Sequence, residues 1–285
     1  MLKKTINHWL NKIPSNVNKR DAEIILAQLL NKNQTFILAH PEYVVPFFIG
    51  LKFLRLIKKR NSGWPLAYLT GHKEFFGLDF LVNQNTLIPR PETELIVELV
   101  IEKIKENPNT LLIDVGTGTG CIPISIIKNI PQKIKTFGLD ISKKALKVAQ
   151  NNASQNQVEI EFIQSNLLTN FPNINFSQFS QIIITANLPY LTATEFSSEK
   201  SIQHEPYSAL VASNNGLELY FQLITQLKKL LGEKNNRVIT LLCEINPNQF
   251  KALKIALTNA FFHAQFLTYK DLAGFDRVLC TSWRG

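Results

Sequence analysis

The tetrapeptide Asn187-Leu188-Pro189-Tyr190 combines groups suited to holding a flat amino group. The Asn side-chain oxygen and the carbonyl ahead of a stiff proline are two acceptors, able to take both hydrogens of a planar –NH2. The Tyr ring adds a flat face on which such a group can stack. A conjugated nitrogen held this way is a poor nucleophile; it needs orientation and electron density, not a strong base. An ordinary β-turn also favours Asn and Pro, so the tetrad takes its meaning from what stands upstream. There, Asp114-Val115-Gly116-Thr117-Gly118-Thr119-Gly120-Cys121 lies between a strand pattern and a helical one. Its glycines let the backbone turn tightly and approach a ligand closely. The GxGxG spacing is not the GxGxxG of a dinucleotide fingerprint, and the Gly-Lys-Ser/Thr of a phosphate loop is absent. A nucleoside without a pyrophosphate is the ligand that fits. Asp140 ends the next strand, 20 residues beyond Gly120, where a carboxylate can accept from both ribose hydroxyls. Taken alone it would be a surface Asp serving a helix start. Cys121 reads as a small packing residue.

Those residues need elements to hold them. Leu111–Val115, Thr136–Asp140, Ile160–Gln164, Ile182–Thr185 and Val238–Glu244 are short apolar runs with helical stretches between them. One such helix runs from Lys143 to Ala153 behind Ser142 as its cap, with Ala145, Ala149 and Ala153 on one face. The alternation predicts an α/β fold with a mostly parallel, doubly wound sheet. Gln265–Tyr269 and Arg277–Trp283 are joined by the short Asp271–Gly274 turn region, so they can pair antiparallel at one edge. Ahead of the sheet, Ile88-Pro89-Arg90-Pro91-Glu92-Thr93-Glu94 leads into a helical run, Leu95–Lys105. Pro91 suits the first turn of a helix. From Lys73, two short runs around Gly77 read as a β-hairpin.

The first ~70 residues read as helices and carry no evident chemistry. Ala22, Ile25, Leu26, Leu29 and Leu30 form one apolar stripe, with Asn18 as cap and Asp21 in the first turn. Phe47, Phe48, Leu51 and Leu54 form a second, expected in the core of a helix bundle and ending near Asn61-Ser62-Gly63. The chain thus divides into 1–72 helical, 73–86 hairpin linker and 87–285 sheet domain.

At 285 residues, 45% hydrophobic and 19% charged, the chain has material for about two domains and is neither disordered nor disulfide-stapled. Cys121, Cys243 and Cys280 read as reduced thiols, with no metal site. Met1-Leu2-Lys3-Lys4 opens no signal peptide, because Asn7, His8, Asn11 and Lys12 interrupt any apolar region behind it. The longest greasy stretch, Tyr43–Leu51, is far short of the ~20 residues of a membrane span. A cytoplasmic protein with no membrane partner is expected. Net charge is +9, and the first 75 residues hold 12 Lys/Arg against 4 Asp/Glu. This excess suits an acidic or nucleic-acid-associated partner, or a merely solvated surface.

The glycine loop, Asp140 and the Asn-x-Pro-Tyr tetrad resemble those of class I S-adenosylmethionine-dependent methyltransferases that act on planar amino groups. Ile88–Glu94 is similar to the segment leading into the catalytic domain of the HemK/PrmC family of protein-glutamine methyltransferases. Glu205-Pro206 with Ala209-Leu210, and Lys270–Gly274 with Asp276-Arg277-Val278, match that family too, so the resemblance covers essentially the whole chain. It implies a Rossmann-like class I sheet behind a small helical domain and a hairpin. It also implies methylation of the glutamine side-chain amide in the Gly-Gly-Gln loop of peptide chain release factors, with no metal and no stable nucleic-acid partner. Gly116, Thr117, Gly118, Thr119 and Gly120 would then cradle the methionine part of S-adenosylmethionine. Asp140 would hold its ribose, and Asn166 and Leu167 would lie near the adenine. Asn187, Leu188, the Pro189 backbone and Tyr190 would hold the glutamine amide, and Arg90, Glu92 and Thr93 would serve the cofactor or a hinge. The N-terminal module would contact the release factor. Leu188 replaces the family's usual first proline, Asn166 and Leu167 its usual acidic and aromatic pair, and Asn246 its usual glycine, where Asn tolerates a left-handed backbone.

Asn-Leu-Pro-Tyr is itself typical of ribosomal RNA adenine methyltransferases, which makes adenine N6-methylation the alternative. The order of parts opposes it, because those enzymes usually place the helical module after the sheet. A cofactor-binding scaffold without catalysis is a third reading, opposed by intact Asn187 and Tyr190.

Overall fold

A computed structural model describes residues 4–231 and 237–284. The Met1-Leu2-Lys3 start lies outside the described residues. The chain divides into two compact units. One runs to His72 and also takes in Glu199–His204; the other comprises Lys73–Ser198 and Glu205 onward.

The first unit is helical: α1 (Ile6–Leu10), α2 (Lys19–Leu30), α3 (Gln34–Ala39), α4 (Phe47–Asn61) and α5 (Leu66–Thr70). Side-chain caps start the first three, from Thr5 to the His8 N–H, Asn18 to Arg20 and Asn33 to Phe36. On α2 the expected stripe is inward: Ala22, Ile25 and Leu26 are buried. On α4 the expected stripe points mostly outward, with only Leu54 packed against the core. Phe47, Phe48 and Leu51 are exposed, and Gly50, Phe53 and Ile57 face the core. Trp9 decides this. Its indole lies so close to Gly50 that a Cβ there would sit 2.0 Å from the ring. The glycine lets the helix backbone approach it, with the Phe47 ring alongside.

The second unit opens within β1 (His72–Phe75), which forms the hairpin with β2 (Leu78–Leu81). Its two-residue turn is Phe76-Gly77, both at positive φ (51° and 71°), the twist a tight hairpin needs. Phe76 N–H is held by Glu94. Then come α6 (Glu94–Glu106), β3 (Thr110–Val115), α7 (Cys121–Lys128), β4 (Lys135–Asp140), α8 (Lys143–Gln155), β5 (Glu161–Gln164) and β6 (Gln181–Ala186). After β6 the chain forms α9 (Ala193–Ser198), the single turn α10 (Ser213–Gly216), α11 (Glu218–Leu231), β7 (Val238–Glu244), α12 (Phe250–Ala260), β8 (Gln265–Lys270) and β9 (Asp276–Arg284).

The seven strands of the large sheet run in the order β5-β4-β3-β6-β7-β9-β8. Neighbours from β5 to β7 pair in parallel, and β9 is antiparallel to both β7 and β8. Both β3 and β6 are buried along their whole length because helices cover both faces. Leu111, Ile113 and Val115 pack in one layer with Tyr220, Leu223 and Leu227 of α11; Leu112 packs in the other with Ile96 and Val100 of α6. Strand order reverses between β3 and β6, and crevices open at the carboxyl ends of strands where that happens.

Candidate active site

The glycine loop leaves β3 at this reversal. Gly116 and Thr117 both donate to the Leu139 carbonyl at 2.8 Å, which folds the loop over the end of β4. Gly116, Gly118 and Gly120 all have positive φ, at 77°, 55° and 78°. A Cβ on Gly120 would come 2.9 Å from Ile124 Cδ1 and 3.2 Å from Ala149, so this glycine brings α7 against α8. Around Gly118 the space is open. Behind the loop, Asn152 is fully buried and donates to the Thr119 carbonyl while exchanging bonds with the Leu81 backbone.

Asp140 Oδ2 accepts from Gly118 N–H at 2.9 Å and Oδ1 from Ser142 N–H at 2.8 Å. Burial pushes its pKa up, and these two backbone donors oppose the shift. Each oxygen keeps a lone pair beyond the one used internally. Asp114 Oδ2 and Thr117 Oγ1 are buried and reach no hydrogen-bond geometry, although the hydroxyl lies close enough to favour the charged carboxylate. A loop of glycines and the spare Asp140 lone pairs together suit a polar, ribose-bearing ligand.

A cavity of about 640 Å³ joins these parts. Gly116, Thr117, Gly118, Thr119, Asp140, Asn166, Leu167, Asn187, Leu188, Pro189, Arg90 and Thr93 all line it. Gly120, Glu92 and Tyr190 are not among its lining residues. Leu167 has a positive φ of 53°. Asn246 is extended at φ −83° and caps the Pro247–Gln249 turn, so no left-handed backbone is called for there.

The tetrad follows β6. Asn187 Nδ2 donates to Glu244 Oε2 at 2.9 Å and to Thr93 Oγ1 at 3.1 Å, and Thr93 Oγ1 donates to the same Glu244 oxygen at 2.6 Å. This closed triangle commits the amide nitrogen and leaves Oδ1 to accept. Tyr190 OH donates to Glu244 Oε1 at 3.1 Å; burial, then the Glu244 charge, raise its pKa. Leu188 N–H donates to Tyr220 OH at 3.3 Å, and Tyr220 OH donates to the Glu244 carbonyl. A proline at position 188 would lack that N–H. Gln249 Nε2 donates to the Tyr190 carbonyl. At the cavity wall, Arg90 Nη2 and Ile88 N–H both donate to buried Glu205.

Glu244, Glu205, Asn152, Tyr220 and Gln249 are absent from the expected site. Glu244 had a signal: like Asp140, it is a carboxylate ending an otherwise apolar strand. Glu205 stands in a segment that matches the family, though the sequence alone assigns it no role; Asn152, Tyr220 and Gln249 are legible only once the fold joins their segments.

The sheet order, the glycine loop after β3 and the cavity define a class I methyltransferase. A family model described as a methyltransferase domain matches residues 106–266, and one described as the PrmC N-terminal domain matches residues 5–71. The chain is 38% identical over 226 residues to the release factor glutamine methyltransferase of Flavobacterium psychrophilum, covering 77% of this chain and 76% of that one. It is 31% identical over 285 residues to the same-named protein of Dictyoglomus turgidum, covering 96% of each. The hMettl16 catalytic domain, solved in complex with MAT2A 3'UTR hairpin 1, shares the fold with a TM-score of 0.56 at 16% identity over 95% of each chain. This chain belongs to the release factor glutamine methyltransferase family. Among the described residues, no helix is long and apolar enough to cross a membrane.

Proposed function

We propose that this protein methylates the side-chain amide nitrogen of the glutamine in the Gly-Gly-Gln loop of peptide chain release factors, in the cytoplasm, with S-adenosylmethionine as donor. The observation that carries the reading is the triangle of Asn187, Thr93 and Glu244, which commits the Asn187 nitrogen and frees its oxygen beside a cavity shared with the glycine loop. S-adenosylmethionine, when bound, supplies an electrophilic methyl group on a sulfonium.

Asn187 Oδ1 and the Leu188 carbonyl accept the two amide hydrogens. That orients the substrate nitrogen and raises its electron density without a general base. Pro189 stiffens the carbonyl ahead of it, and Tyr190, whose ring does not line the cavity, is held beside it by Glu244. Gly116 to Gly120 approach the methionine part of the donor with backbone alone, Asp140 accepts from its ribose hydroxyls, and Asn166 and Leu167 flank its adenine. Arg90 and Thr93 wall the cavity near the donor, with Glu92 beside them. Residues 1–72 recognise the release factor, 73–86 form the linker and 87–285 carry the transfer. The shared name of the relatives favours this substrate over RNA adenine and over a scaffold without catalysis.

The test is methyl transfer from labelled S-adenosylmethionine to a purified release factor, located by mass spectrometry. Label on the Gly-Gly-Gln glutamine is expected. Label only on ribosomal RNA, or on nothing, overturns the proposal. Asn187→Ala should lower turnover by at least ~10²-fold while S-adenosylmethionine affinity stays within about 3-fold.

A further inference from the structure

We infer that Glu244 is the positioning residue of this site: its carboxylate holds Asn187 and Tyr190 in the arrangement that presents an acceptor to the substrate amide. The inference rests on the substrate-holding role proposed for Asn187.

Glu244 ends β7 and is 1% exposed. One carboxylate collects three side chains from three separate segments: Thr93, Asn187 and Tyr190. Burial pushes the Glu244 carboxyl pKa up and the Thr93 and Tyr190 hydroxyls bound to it pull it back; ionised, it only accepts. The amide edge of Asn187 that faces it must therefore be the NH2, and the oxygen must face the other way. A partner able both to donate and to accept would tolerate either orientation. Thr93 reinforces the choice, because its hydroxyl hydrogen is spent on Glu244 and it can only accept from Asn187. The same residue fixes the tetrad's backbone, since the Glu244 carbonyl takes the Tyr220 hydroxyl that in turn holds Leu188 N–H.

The experiment measures kcat with a release factor at saturating S-adenosylmethionine, donor affinity and thermal unfolding, for Glu244→Leu, Glu244→Gln, Asn187→Ala and the Glu244→Leu/Asn187→Ala double variant. Glu244→Leu should lower kcat about 10²-fold, the scale of a misplaced reacting group, with donor affinity within about 3-fold. Glu244→Gln can still turn an oxygen toward Asn187, so it should recover to within about 10-fold of the parent. The double variant should be within about 2-fold of Asn187→Ala, because residues acting as a unit are not additive. A Glu244→Leu protein within about 3-fold of the parent, or a double variant slowed by the full product of the single effects, overturns the inference. If Glu244→Leu does not fold, Thr93→Val takes its place in the cycle: about 10-fold loss of kcat alone and none on top of Asn187→Ala is expected, and additivity overturns. Full activity in Asn187→Ala overturns the site reading and this inference with it. Loss in Asn187→Ala with none in Glu244→Leu overturns this inference alone.

Discussion

Asp114 lies fully buried near the end of β3, with Oδ1 accepting from the Thr185 hydroxyl at 2.6 Å. Burial is the main cause that pushes its pKa from 3.8 up to about 6; the Thr117 and Thr185 hydroxyls pull it down and the Asp140 charge adds to the rise. A carboxyl whose folded pKa is raised contributes stability in full below its unfolded pKa, and loses it as pH climbs through the folded value. Each tenfold change in proton affinity is worth about 1.4 kcal/mol. Asp114→Asn removes this titration. In urea unfolding, the stability of Asp114→Asn relative to the parent should rise by about 2–3 kcal/mol between pH 4 and pH 7, then level off. A difference that stays constant across that range would show that Asp114 ionises as it does in the unfolded chain.

The turn between β3 and α7 asks two different things of its glycines. At Gly120 a Cβ collides with Ile124 and Ala149, whereas at Gly118 the nearest atom is the Gly116 carbonyl oxygen at 3.9 Å. Both have positive φ, which costs an L-residue about 1–2 kcal/mol. Gly118→Ala should therefore cost about 1 kcal/mol of stability yet weaken S-adenosylmethionine binding, because its methyl stands on a residue lining the cavity. Gly120→Ala adds overpacking and should cost about 2–4 kcal/mol. Chemical denaturation alongside donor titration separates the two, and equal stability losses would refute the distinction. The contrast also shows what was legible beforehand. Strands β3, β4, β6, β7 and β9 could be read because covered sheet faces demand apolar runs, and the loop because glycine takes its positive-φ backbone most readily. The inward face of α4 could not, because Trp9, far away in sequence, selects Gly50 over Phe47 and Leu51. Nor could the network of Thr93, Asn187, Tyr190 and Glu244, whose members come from segments that only the sheet order brings together.

Nearly all of the molecule's net charge sits in its helical unit, and the structure sorts which charges are free to act. Arg60 is spent internally: its Nε donates to Asp21 at 2.7 Å and its Nη1 to the Trp64 carbonyl at 3.1 Å. Lys59 lies 4.3 Å from the Trp64 ring centroid. Lys52, Arg55 and Lys58 are exposed along α4, on the same helix as exposed Phe48 and Leu51. Of the neighbouring Lys58, Lys59 and Arg60, the two lysines are exposed, Lys59 over the Trp64 ring, and Arg60 is tied to Asp21. Rim charges act at long range, so they govern the rate of encounter and its dependence on salt more than the strength of the final complex. Replacing Lys52, Arg55 and Lys58 by Gln should lower kcat/KM for the release factor by about 3–10-fold at low salt and by less at ~0.5 M, flattening the salt slope. S-adenosylmethionine affinity should not change. Arg60→Ala, by contrast, should act through stability, leaving half-buried Asp21 without its partner at a cost of about 1–2 kcal/mol. Kinetics across a salt series, with unfolding midpoints for both variants, check the pair. A salt slope that survives the triple replacement would assign the α4 charges to solubility.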